Sequence, residues 1–269
     1  MRNKIVPAVL VCAILFSCAC IATASNNDEK LKANPVVKVI WGSDSASAYS
    51  MANFLNNHGG VDAEALPAGK APVYDFSTTD QIIICYCTEL NWTDMAQVYA
   101  IKHANKPVFA IGQGGCKYLL KAGMGTGDFG VTYSSKQNSK VVDPTSPLFN
   151  DPTPITIPGN NTLTVHKTKV STKFLYVPSL PGNVTALMLD PADNNYATMT
   201  YEANYTFFWG FDTTDPYVLA SHGSSLFLNG LHYSRTYFKS HVPEFGLVIP
   251  TILAFVMVAC FCVFRSRKD

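Results

Sequence analysis

The chain predicts an α/β domain on a mostly parallel sheet, with a strand-rich second half and one carboxyl-terminal transmembrane helix. Three observations carry that prediction. Apolar runs alternate with segments of helical period between Val36 and Leu120, the grammar of parallel βαβ units. Within that region, Pro107 to Ile111 passes through Gly112-Gln113-Gly114-Gly115 straight into Cys116 to Leu120. This is the pattern of a buried strand turning sharply into a helix at the edge of an α/β cleft. Finally, Phe245 to Phe264 holds about twenty residues without a charge, enough to cross hydrocarbon as a helix.

The elements follow in order. Met1-Arg2-Asn3-Lys4 is basic, Ile5 to Ala19 is almost wholly apolar, and Ala22-Thr23-Ala24 is small-x-small, so residues 1–24 read as a signal peptide. A polar leader, 25–35, precedes the domain proper, 36–234. Val36 to Trp41 is a buried strand; Gly42-Ser43-Asp44-Ser45 turns the chain and offers Asp44 or Ser45 as a helix cap. Ala48, Met51, Ala52 and Leu55 then recur at helical spacing until Gly59-Gly60. Gln81 to Cys87 is a second buried run after Asp80. Thr93 can cap a helix with Met95, Val98 and Tyr99 on one face, ending before Pro107. The elbow strand completes the series, with right-handed crossovers expected.

Beyond Gly130 the chain breaks into short apolar runs: Ile155 to Ile157, Leu163 to Val165, Phe174 to Val177, Ala186 to Leu189, Tyr205 to Phe211 and Ser224 to Leu228. Tyr205 to Trp209 reads as core. The first half has too few strands to close a core, so both halves are expected to share one sheet. Residues 235–244 read as a stalk, 245–264 as the span and 265–269 as the tail.

Arg265-Ser266-Arg267-Lys268 after the span places that end in the cytoplasm and argues against a glycolipid anchor. The expected protein is therefore a type I single-pass membrane protein of the plasma membrane or a secretory compartment. Four glycosylation acceptor patterns, at Asn91, Asn160, Asn183 and Asn204, agree with that route. The net charge of +1, with no basic tract outside the termini, excludes nucleic-acid partners. His58, His103, His166, His222 and His241 lack metal-ligand spacing, and no metal or cofactor is expected. Of eight cysteines, Cys12, Cys18 and Cys20 leave with the signal peptide, and Cys260 and Cys262 lie in the span. Cys85, Cys87 and Cys116 remain, too few for a disulfide scaffold.

Several segments together resemble the class I glutamine-amidotransferase-like superfamily, most closely the amino-terminal domain of eukaryotic biotin protein ligases. They are Val39 to Ser47, Asp80 to Ile84, Lys106 to Gly115 and Leu226 to His232. The resemblance implies a flavodoxin-like three-layer sandwich with its cleft at the carboxyl ends of the strands. It also implies chemistry in which an elbow cysteine attacks an amide carbonyl, a histidine takes its proton, an acid orients that histidine, and a glycine-rich loop holds the oxyanion. This chain departs from the pattern at three points. The elbow apex is Gly112, His232 is followed two residues on by Ser234 rather than an acid, and Cys85-Tyr86-Cys87 replaces the glycine-rich loop.

Cys116, one turn past the apex, and His232 are then the remaining catalytic candidates. A disulfide from Cys116 to Cys87, with Cys85 as the second choice, competes with that reading, because both cysteines should lie at the carboxyl edge of neighbouring strands in an oxidising compartment. His232 has an idle alternative, as a hydrogen-bonded histidine at a strand end. Ser43, Asp44, Ser45, Gln113, Gly114 and His232 are the expected lining of a ligand cleft. The expected function is a membrane-anchored glycoprotein whose degenerate amidotransferase-like ectodomain binds an unidentified protein or small molecule. Two alternatives stand beside it: a lumenal or surface cysteine amidase or hydrolase using Cys116 and His232, and an ER-resident factor.

Overall fold

The computed structural model describes residues 34–124, 133–203 and 206–237. The signal segment, nearly all of the leader, Asn204, the span 245–264 and the tail lie outside the described residues, as does most of the stalk. No helix among the described residues is long and apolar enough to cross a membrane.

Strand β1 (Val36–Trp41) buries four consecutive residues, and the Asp44 carboxylate then accepts the Ser47 N–H at 3.0 Å. That bond satisfies an orphan donor at the start of helix α1 (Ser45–His58), which buries the expected Ala48, Met51, Ala52 and Leu55. Strand β2 (Asp62–Pro67) was not foreseen. It is a half-exposed edge strand whose Asp-Ala-Glu-Ala opening carries too little apolar signal. Strand β3 (Gln81–Ile84) leads to helix α2 (Met95–His103), and strand β4 (Val108–Ile111) runs without a loop into helix α3 (Gly112–Ala122).

The second half supplies β5 (Tyr133–Lys136), β6 (Asn138–Val141), β7 (Thr162–Thr164), β8 (Val170–Lys173), β9 (Leu175–Tyr176), β10 (Val184–Asp190), β11 (Asp193–Glu202) and β12 (Thr206–Trp209), then helix α4 (Ser221–Thr236). The main sheet runs β2-β1-β3-β4-β12-β11-β10-β6-β7, with β9 also paired to β11; β5 and β8 form a separate pair. The five strands from β2 to β12 are mutually parallel, and from β12 outward every pairing is antiparallel. Both halves thus share one mixed sheet, joined where β12 lies parallel to β4 with Trp209 opposite Ile111.

The period-two alternation of the parallel strands divides the core between the two faces. Val37, Val39, Ile83, Phe109, Ile111, Phe207 and Trp209 pack with α1 and α4 residues, while Ile40, Ile82, Ile84, Val108, Ala110 and Phe208 pack with α2 and α3 residues. The Phe109 ring stacks on Phe207 at 4.8 Å and meets Phe227 of α4 edge-on at 5.0 Å. Each such ring contributes about 1.5–3 kcal/mol by leaving water. The reading of Tyr205 to Trp209 as core holds for Phe207, Phe208 and Trp209, all fully buried.

Four sequence expectations need correction. Ser224 to Leu228 is helix, not strand: Leu226, Phe227, Gly230, Leu231 and Ser234 are buried at helical spacing. That helix reaches Thr236, past the expected domain boundary at 234. Ile155 to Ile157 forms no strand, although Ile155 is buried against the first core face. Helix α2 is capped by Asp94, which accepts the Ala96 N–H at 2.9 Å, while the Thr93 hydroxyl bonds the Leu90 carbonyl.

Candidate functional site

The site is built at the carboxyl ends of β1, β3, β4 and β12. Strand β4 turns into α3 at Gly112, whose φ of +53° is a left-handed conformation that costs a residue with a Cβ. The space a side chain would need there is occupied. A Cβ on Gly112 would collide with the Asp212 carboxylate oxygen and lie 2.9 Å from Asp212 Cα and 3.0 Å from the Phe211 carbonyl.

Asp212 arrives two residues after Gly210, from the end of the strand parallel to β4. Its Oδ1 accepts the Gln113 N–H at 2.5 Å, and its Oδ2 accepts the Ser171 hydroxyl at 2.9 Å. Burial pushes the Asp212 pKa up, against the pull of those two donors and of Lys173. Gln113 follows the apex, and its amide is the donor that an elbow of this kind normally turns toward a developing oxyanion. Here a carboxylate of the same chain already holds it.

The facing rim is the loop after β3. The strand stops at Ile84, and Tyr86 to Thr88 form a single 3₁₀ turn, so Cys85 and Cys87 do not alternate along one strand. Cys85 is fully buried in the first core face; Cys87 is half-buried against it. Close backbone approach fixes the turn. The Ser43 N–H donates to the Cys87 carbonyl at 3.3 Å, and a Cβ on Gly114 would lie 2.6 Å from the Tyr86 carbonyl. The Tyr86 hydroxyl donates to Asp44 Oδ2 at 3.0 Å, and burial followed by that bond raises the Tyr86 pKa to about 12.

Between these rims lies a cavity of about 600 Å³ whose lining includes Ser43, Tyr86, Cys87, Glu89, Gln113 and Asp212, together with Asn91 and Ser171. Of the residues expected there, Ser43 and Gln113 line it. Asp44 stands behind Tyr86 as helix cap. Ser45 starts α1, and Gly114 is a packing glycine whose carbonyl accepts the Trp92 indole N–H at 2.9 Å. Asp212, Ser171, Tyr86 and Glu89 were missed. Asp212 had one signal: it is the first charged residue after a run assigned as strand, but only the strand order reveals that this strand lies beside the elbow.

The two catalytic candidates fall elsewhere. Cys116 is buried in the core face beneath α3, and burial raises its thiol pKa to about 11, the reverse of an activated thiol. His232 is on α4, where its Nε2 lies 3.2 Å from Asp151 Oδ2 in a partly exposed pair outside the cavity lining. Ser234 is buried and accepts the Gln81 amide at 2.6 Å, so it orients nothing catalytic. The expected Cys87–Cys116 disulfide is not formed, nor is one from Cys116 to Cys85; all three cysteines are free. Cys116 packs with the second core face and Cys85 and Cys87 with the first, so the sheet separates them. Among the acceptor patterns, Asn160 and Asn183 are exposed, whereas Asn91 is half-buried in the cavity wall. No metal-binding cluster occurs among the described residues.

The fold is an α/β domain on a mixed sheet whose elbow strand lies in its parallel part. Two solved structures share it: a protein ascribed to GMP synthase from Thermoplasma acidophilum, at TM-score 0.50 and 14% identity, and a ThuA-like protein from Bacteroides uniformis, at TM-score 0.54 and 11% identity. The match to the first covers 76% of this chain and 96% of that one, and to the second 76% and 92%. No protein-family model and no curated protein sequence matches the chain.

Proposed function

We propose that this protein is a type I membrane glycoprotein whose amidotransferase-like ectodomain has lost amide chemistry and serves as a binding module. The observation that carries the reading is Asp212: its carboxylate fills the space of the nucleophile's side chain at Gly112 and takes the Gln113 N–H. Covalent amide chemistry needs a nucleophile, a base and free oxyanion donors converging on one point. At this elbow one is absent, one is displaced to another face, and one is occupied. The membrane and secretory parts of the reading rest on the sequence of residues 1–24 and 245–269 and on exposure of Asn160 and Asn183. The likeness of Val39 to Ser47 and Lys106 to Gly115 to biotin protein ligases points to a relative of their amino-terminal domain.

The test is turnover of glutamine, simple amides and esters by the full-length protein in detergent. No turnover is expected. Turnover that is lost in Cys116→Ala or His232→Ala would restore the hydrolase reading. Topology is tested separately: glycosidase treatment should lower the apparent mass, and a carboxyl-terminal tag should be detected only after cells are permeabilised.

A further inference from the structure

The cavity wall holds the Cys87 thiol, and a second thiol, Cys85, is buried behind it. We propose that Cys85 and Cys87 are a redox pair that exchanges with low-molecular-mass disulfides entering the cleft.

The geometry is specific to these two positions. The 3₁₀ turn after β3 packs Cys87 against the core face that holds Cys85, two residues away, where the two thiols interact electrostatically. Cys87 opens on the cavity, while Cys85 lies wholly beneath it with no exposed surface. An incoming disulfide therefore meets Cys87 first, and the resolving thiol is already adjacent. The Cys87 thiol also sits against the loop that follows β1, where it donates to the Asp44 carbonyl at 3.8 Å. The same loop is locked in place, since a Cβ on Gly42 would lie 3.0 Å from Thr88 Cα. Interaction with the Cys85 thiol, helped by the backbone of Gly42 and Asp44, brings the Cys87 pKa down to about 6, against its partial burial and the Asp44 carboxylate. Burial holds the Cys85 thiol well above its ordinary range.

The chemistry balances without any group beyond the disulfide itself. The Cys87 thiolate attacks one sulfur of RSSR; the S–S bond breaks and RS⁻ leaves, taking up a proton from water. Cys85 then loses its proton and attacks the Cys87 sulfur, the mixed disulfide breaks, and a second RS⁻ leaves and is protonated. One RSSR is reduced to two RSH while the Cys85–Cys87 dithiol is oxidised to a disulfide, and excess RSH reverses both steps. The cavity of about 600 Å³, lined by Ser43, Tyr86, Asn91 and Gln113, offers polar contacts suited to a peptide-like thiol. This exchange uses the cleft assigned above to ligand binding and rests on that assignment only for access.

The probe is oxidised glutathione, applied at neutral pH to the full-length protein in detergent and read by peptide mass mapping. The wild type should acquire a Cys85–Cys87 disulfide that reduced glutathione reverses, and Cys116→Ser should behave identically. Cys85→Ser should instead trap one glutathione on Cys87, and Cys87→Ser should take up at least tenfold less glutathione than Cys85→Ser. Cys85→Ala repeats the trap should serine not be tolerated in the buried position. Disulfides that involve Cys116, an intramolecular link that persists in Cys85→Ala, or no modification of folded wild type would each overturn the proposal. Failure here leaves the loss of amide chemistry standing, because that is read from turnover; amide turnover would likewise leave the thiol exchange standing.

Discussion

The two rims of the cleft have opposite characters. At the elbow, Gly112 has no side chain, and the space one would take is closed by Asp212 from the neighbouring strand end. Across the cavity, the loop after β3 carries a half-buried thiol, Cys87, in the lining. Reactivity in this fold is therefore a property of what fills each strand end, not of the strand ends themselves. The elbow passes from strand to helix without a loop, with positive φ at Gly112. The facing loop leaves its strand at Ile84 and turns through Tyr86–Thr88, which brings Cys87 to the cavity.

The largest expected effect breaks the comparison at the elbow. Gly112→Cys places a Cβ in a left-handed conformation and drives it into Asp212, so we expect a loss of about 2–4 kcal/mol in unfolding free energy. Adding Asp212→Gly should recover more than half of that loss while leaving the protein inactive toward amides. Equal instability of the single and double variants would show that Asp212 is not what closes the elbow.

Next comes the contrast between thiols. At pH 7, a Cys87 pKa of about 6 and a Cys116 pKa of about 11 give thiolate populations that differ by about 10⁴. The weaker intrinsic nucleophilicity of the low-pKa thiolate reduces that to roughly 50-fold. Iodoacetamide should thus label Cys87 roughly 50-fold faster than Cys116. The Cys87 rate should rise with pH through a midpoint of about 6, because a lowered pKa makes the thiolate dominant above that value. Equal labelling of the two, or a midpoint at the ordinary thiol value, would remove the asymmetry between the rims.

How much of this was legible in the sequence follows from the range of each signal. Strands β1, β3 and β4 and helix α1 are local: buried apolar runs and a capped helical period stand between Val36 and Ile111. Strand β2 and helix α4 were obscured because tertiary burial, not local hydrophobicity, defines them. Gly230, for instance, is buried where α4 presses on Phe109 and Phe207, a contact no window of sequence contains. The lack of a side chain at the elbow apex, Gly112, was legible. That Asp212 takes its place was not, since the two are joined only by the pairing of β12 with β4. The Cys87–Cys116 pairing failed for a related reason: neighbouring strand ends were inferred correctly, but the two thiols fall on opposite faces of the sheet.

A third prediction concerns the support beneath the elbow rim. His166 is fully buried with no hydrogen-bond partner on either ring nitrogen, and its ring packs on Phe211, next to Asp212, at 4.4 Å. Burial lowers its pKa to about 4, so it is neutral in the fold, whereas an unfolded histidine titrates at about 6.5. Its contribution is full above the unfolded value and is lost as pH falls toward the folded one, about 2 kcal/mol by pH 5. Asp212, with a raised pKa, contributes in the opposite sense on acidification, so the measurement must compare variant with wild type. Denaturation of wild type and His166→Phe at pH 7 and pH 5 should show a smaller acid loss in the variant. Parallel losses would mean that His166 does not titrate beneath the rim.

The smallest expected effect concerns the residue that sequence alone placed in the machinery. His232 pairs with Asp151 on the solvent side of α4, with both side chains substantially exposed. An ion pair of that kind contributes about 0–1 kcal/mol. The neighbouring packing, Leu231 beneath and Asn229 bonded to the Leu148 and Thr153 carbonyls, does not depend on the imidazole. His232→Ala should therefore change unfolding free energy by less than about 1 kcal/mol and leave Cys87 labelling unchanged. A histidine acting as base for a cleft thiol would behave otherwise, since its removal would shift the midpoint of the Cys87 pH profile. An unchanged midpoint in His232→Ala, beside a displaced one in Cys85→Ala, would confine the thiol's activation to the β3 loop.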